Sequence, residues 1–129
     1  MQVVQMRKAV GWLLRERKSA VTNSRAKGAR GERELSKVLR EWGYDTRRGQ
    51  QYSGANGDAD VVGLPNIHIE CKRVEKLNLE KAMYQSVNDA REDEIPVVMH
   101  RKDRHCWLIT MRLDDWMPMY ERWDSFNAE

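Results

Sequence analysis

The sequence predicts an α/β domain with a mixed β-sheet of about five strands flanked by helices. Two observations carry this. Short runs rich in β-branched and apolar residues fall at 60–63, 67–71, 96–99 and 106–111, whereas 30–42 and 78–92 space their apolar residues at helical intervals. Their order is three strands in succession, then strand–helix–strand. That implies antiparallel neighbours followed by a parallel crossover.

The elements follow in turn. Residues 3–18 read as a short amphipathic helix, and 19–29 as a small, polar, basic linker or arm. Leu35, Val38, Leu39 and Trp42 make the stripe of a helix over 30–42, and Gly43 supplies its stop. Tyr44 to Gln51 is expected to be a strand carrying Arg47 and Arg48, with a flexible loop over 49–57. Leu64-Pro65-Asn66 marks a turn between the strands at 60–63 and 67–71. Asn78 is the expected N-cap of a helix over 78–92. The charged turn Arg101 to Arg104 joins two further strands, and the tail around Trp116, Tyr120 and Trp123 reads as a docked helix interrupted near Pro118. The chain of 129 residues thus divides into a basic helical extension over 1–26 and a single domain over 27–129.

Composition narrows the function. No window approaches ~20 consecutive apolar residues, which excludes a membrane-spanning helix. The N-terminus lacks the apolar core and cleavage site of a secretory signal. Two lone cysteines, Cys71 and Cys106, suggest a reducing compartment and hence the cytoplasm. His100, His105 and Cys106 do not have a zinc spacing, and no GK[ST] follows the glycines at 54 and 57, so neither a zinc site nor a phosphate loop is expected. The net charge of +3 hides an asymmetry: residues 1–48 carry +8 and residues 49–129 carry −5. A basic segment next to a carboxylate-rich one points to a polyanion partner, and the excess of Arg over Lys, 15 to 8, favours phosphate. A merely solvated basic helix surface would give the same pattern.

The informative stretch runs from Gly57 to Lys72. Side chains alternate along a strand, so Ile67, Ile69 and Cys71 face the core while His68, Glu70 and Lys72 share the other face. Folding the hairpin about Pro65 with 63 opposite 67 sets Asp60 against Glu70 and Asp58 against Lys72. A slip of one residue would scatter the set. Carboxylates gathered this way repel each other, and a hard divalent cation resolves the conflict. Lys72 beside such a cation could orient or deprotonate an attacking water, or stabilise charge on a phosphate. These parts suit phosphodiester hydrolysis. The plain alternative is a surface hairpin whose acids pair with Lys72 and Arg73.

Lys27-Gly-Ala-Arg30-Gly-Glu32-Arg33-Glu34-Leu35, Gly43-Tyr44, Arg47 or Arg48, Ser53-Gly54, Asp60-Val-Val62, Ile69-Glu70-Cys71-Lys72 and Pro96-Val-Val98 form an ordered series. It resembles the PD-(D/E)XK nuclease superfamily, and within it the archaeal-type Holliday junction resolvases and their phage relatives. The likeness spans roughly residues 27–100 and implies a restriction-endonuclease-like core. It implies that Glu32, Asp60, Glu70 and Lys72 are catalytic, and that Asp60, Glu70 and Glu32 hold Mg²⁺, with Mn²⁺ as a substitute. Lys27, Arg30, Arg33, Arg47, Arg48 and Arg73 would bind DNA, and two copies of the chain would act as a homodimer on branched double-stranded DNA. Periodicity places Glu32 and Glu34 on opposite flanks of the apolar stripe, so either can be the helix acid. Asp58, His68 and Gln85 are possible accessory residues. Residues 1–26 have no counterpart in the resemblance, and the hairpin is short. Two rival functions stay open: a nicking or end-processing nuclease of the same superfamily, and a non-catalytic DNA-binding module.

Overall fold

The computed structural model describes residues 24–50 and 59–128. The helix expected at 3–18, residues 19–23 of the expected arm, the Ser53–Gly57 loop and Asp58 lie outside them.

Helix α1 spans Ser24–Glu41, β1 Arg47–Arg48, β2 Val61–Val62, β3 Ile67–Arg73, α2 Leu79–Asp89, β4 Ile95–Arg101, β5 Leu108–Met111 and α3 Leu113–Asn127. The sheet has the order β1-β2-β3-β4-β5. Only β3 and β4 run parallel, joined through α2, and the other neighbours are antiparallel. This is the mixed five-stranded α/β architecture the sequence predicts.

The core lies between α1 and one face of the sheet. Leu35 packs with Val61, Ile69, Cys71, Val97 and Met99, and Leu39 borders them. The odd-numbered residues of β3 and β4 thus meet α1, as the alternation requires. The even-numbered His68, Glu70 and Val98 are buried on the opposite face, beneath α2. There Ser86 is fully buried and donates through Oγ to the Val97 carbonyl at 2.9 Å. Asn78 caps α2 as expected, its Oδ1 accepting the Lys81 N–H at 3.1 Å.

Most boundaries shift by one to three residues from the sequence reading, and four parts of it change more substantially. Residues 24–29 are helical, not linker, because Ala26, Lys27 and Ala29 are good helix formers that outweigh Gly28. Gly31 is needed where α1 crosses β3, since a Cβ there would lie 2.6 Å from the Arg73 Cβ. The helix ends at Glu41, Gly43 turns the chain at φ +98°, and Trp42 leaves the stripe and is exposed. The strand expected over 44–51 shrinks to two residues, because β2 offers only Val61 and Val62 as partners. The tail is one unbroken helix through Pro118 and is not docked: it buries no residue, so the Asp114 carbonyl that loses its helical bond stays near water. Met119 lines a groove shared with Tyr44, Leu64, Ile67 and Ile109.

Candidate active site

The site is built on the β2–β3 hairpin. Val61 pairs with Ile69, which is the predicted register and sets Asp60 opposite Glu70. The turn depends on Gly63 at φ +107°: a Cβ there would stand 2.1 Å from the Asp45 carbonyl oxygen. The backbone of 45–46 therefore packs directly on the hairpin and fixes it. Asn66 completes the turn at φ +65°, a value Asn tolerates better than most residues.

Asp60 is half-buried. Its Oδ2 accepts the Cys71 N–H at 2.8 Å, so the carboxylate is held against the backbone of β3. Glu70 is 4% exposed and lies within hydrogen-bond reach of Asp60. Burial, then the Asp60 charge, pushes its carboxyl up to about 7, although Lys72 opposes the shift. The Lys72 ammonium stands 3.3 Å from Glu70 Oε2. Two carboxylates and an ammonium therefore converge, as the alternation requires.

Glu32 approaches from α1. It is 7% exposed, and Arg48 Nε donates to its Oε1 at 2.8 Å. Burial raises its pKa first. The Arg48 bond lowers it, and the Asp60 charge raises it again. Glu34 turns elsewhere: it pairs with Arg101, and with Arg73 at 3.5 Å, and Arg73 also reaches Asp103. Of the two acids the sequence left open, Glu32 is thus the one beside Asp60 and Lys72.

The remaining predicted residues scatter. Lys27, Arg33 and Arg47 are exposed, and Arg30 is half-buried. Arg73 is half-buried in the network with Glu34 and Asp103. His68 keeps to the Glu70 face but is buried, its Nδ1 3.5 Å from Glu94. Gln85 is exposed on α2. Sequence reasoning missed the Glu32–Arg48 pair and the Glu34–Arg73–Arg101 network. The only signal for either was an unlike charge at long sequence separation.

Among the described residues, no three His, Cys, Asp or Glu side chains are gathered closely enough to cage an ion. Asp60 and Glu70 still suit a hard cation. Mg²⁺ needs only one or two carboxylates beside water and phosphate, and a cation would offset the burial and the Asp60 repulsion that raise the Glu70 pKa.

A hairpin of opposed acids with a lysine two residues on, beneath a helix that bears a further acid, defines a nuclease core of the PD-(D/E)XK kind. The family model described as "Phage putative PDDEXK endonuclease" matches residues 23–127. The chain belongs to this family and is an endonuclease. Its fold is also similar to that of Hjc from Archaeoglobus fulgidus, a Holliday junction resolvase. The two share 26% identity over 66% of this chain and 72% of that one, with a TM-score of 0.51. No curated protein matches. PD-(D/E)XK nucleases in general use divalent metal ions. None of the described helices is long and apolar enough to cross a membrane.

Proposed function

We propose that the chain is a Mg²⁺-dependent endodeoxyribonuclease that resolves four-way DNA junctions as a homodimer. One observation carries the chemistry: Asp60 and Glu70 oppose each other across the hairpin, with Lys72 3.3 Å from Glu70. Asp60 and Glu70 would hold the metal, with Glu32 beside them, and Mn²⁺ would substitute. The ion supplies Lewis-acid activation of the phosphate and a more acidic water. The Cys71 N–H keeps Asp60 aimed, and burial keeps bulk water from Glu70. The Lys72 ammonium, on the same strand face, orients the attacking water and stabilises charge that develops on the phosphate. Arg33, Arg47 and Lys27, exposed on α1 and β1, would hold neighbouring phosphates, together with Arg30 and Arg48.

The junction preference rests on the likeness to the archaeal resolvase. Two features support a dimer. Trp116, Tyr120 and Trp123 form a ring ladder with centroids 5.0 and 5.8 Å apart on a helix with no fully buried residue. Ile109 is exposed on the neighbouring edge strand. A second copy of this chain would cover both.

The test is cleavage of labelled four-way junction, flap, linear duplex and single-stranded DNA, with Mg²⁺ or EDTA, by wild type and Asp60→Asn. Paired, metal-dependent cuts in the junction alone, lost in the variant, are expected. Equal cutting of every substrate would leave a general nuclease. Tight binding without any cutting would leave a non-catalytic module. Light scattering should give twice the mass of the chain.

A further inference from the structure

We propose that a cleft at the carboxyl ends of β3 and β4 holds a nucleotide displaced from the base stack, beside the phosphate under attack. The proposal rests on the nuclease reading above and adds a feature of the substrate that this site selects. The cleft, of about 760 Å³, lies between the link from β3 to α2 and the β4–β5 turn. That volume is in the range of pockets that enclose a whole small ligand.

Its position ties it to the chemistry. His100 lines the cleft and lies in parallel register with Lys72, so the two side chains leave the same sheet face one strand apart. Neighbouring strands are only ~4.8 Å apart. The His100 ring is fixed by a 2.9 Å bond between Nε2 and Thr110 Oγ1, and burial lowers its pKa, so it offers a flat wall on which the charged form is disfavoured.

The lining has two parts. Leu77, Leu79 and Leu108 supply apolar surface. Lys76 and Lys102 line the same cleft, and their ammonium groups have no partner among the described residues. The other charges of the lining are already engaged. Arg101 is paired with Glu34, and Glu75 accepts the Asp103 N–H at 2.7 Å. An inorganic anion would leave the leucines unused, and an apolar ligand would leave the lysines unused. A nucleotide uses both: its base covers the leucines and its phosphate meets the ammonium groups. A base stacked and paired in a continuous duplex cannot enter. Bases at a branch point leave the stack at least cost.

Cys106 gives the test its reporter. It is exposed in the cleft wall, whereas Cys71 is buried and its thiol pKa is pushed up by burial and by nearby carboxylates. The full chain in EDTA would be treated with N-ethylmaleimide, alone, with a four-way junction, or with a continuous duplex of equal length, and labelling of Cys106 followed by mass. Bound DNA would be measured in the same samples by anisotropy. At free junction ten times Kd, labelling should slow about tenfold. Continuous duplex, bound to the same extent, should leave it near the free rate. Lys76→Ala/Lys102→Ala should melt like wild type, because both lysines are exposed. It should lose the protection and lower the salt slope of junction binding by about two.

Labelling that stays fast while the junction is bound would overturn the proposal, as would equal protection by the continuous duplex. Neither result touches the nuclease reading, which fails only if wild type with Mg²⁺ cuts no substrate. Asp60→Asn should lose cutting yet keep the protection.

Discussion

Arg48 donates through Nε to Glu32 Oε1 at 2.8 Å and ties the edge strand β1 to α1. The bond joins a partly exposed cation to a buried carboxylate, so the acid depends on it more than the base does. Arg48→Ala leaves Glu32 desolvated and uncompensated. The expected loss is about 1 kcal/mol, at the low end for an orphaned buried charge because Arg48 is itself partly in water. Burial already raises the Glu32 pKa, so the loss should grow as pH rises and Glu32 ionises. Urea midpoints at pH 5 and pH 8 check this. An equal loss at both would contradict it.

Glu70 makes the metal-free fold pH-sensitive. Its folded carboxyl stands at about 7 against an ordinary 4.5. Its stability contribution is therefore complete below pH 4.5 and is lost as pH rises through 7. The full swing is at most about 3 kcal/mol. In EDTA the melting temperature should fall between pH 5 and pH 8. Glu70→Gln should flatten that profile, and millimolar Mg²⁺ should raise the wild-type value at pH 8.

Asp60→Asn and Lys72→Ala should each reduce cleavage by about two orders of magnitude or more. The Asn variant keeps an acceptor for the Cys71 N–H and removes a charge facing Glu70. It should therefore melt no lower than wild type in EDTA. Junction binding measured by anisotropy should survive in both. Loss of folding in Asp60→Asn, visible by circular dichroism, would contradict this assignment.

Gly63→Ala should be costly. The new methyl would collide with the Asp45 carbonyl, and φ +107° is strained for any L side chain. The strain alone is worth about 1–3 kcal/mol. Because this turn sets Asp60 against Glu70, cleavage at a temperature where the variant is still folded should also fall. Gly28→Ala, at a position with open space, is the control and should be neutral or mildly stabilising.

The hairpin was legible because its two strands alternate cleanly around one turn, and only one register buries Ile69 while gathering the acids. The crossover was legible from element order alone. Helix ends were not, because Trp42 fits the apolar spacing yet lies past the residue where Gly43 turns the chain. The choice between Glu32 and Glu34 was invisible for another reason. It depends on which distant arginine reaches each acid, Arg48 for one and Arg73 with Arg101 for the other. The cleft beside Lys72 was hidden too, since its walls come from two links that flank different strands.

The reach of β3's two pairings differs. Val61 meets Ile69 across eight positions of chain, whereas Ile67 meets Ile95 only after 28. Closing a loop of about ten residues takes tens of nanoseconds, and the helical crossover must wait for α2 to form and dock. The opposed acids thus belong to one of the two strand pairings that close over only eight residues, the other being His100 with Leu108, and β4 joins β3 afterwards to bury one of them. Folding carries Glu70 from water to the interior while Asp60 is already beside it. The last part of the sheet to assemble is therefore the part whose rate protons or a divalent cation should govern.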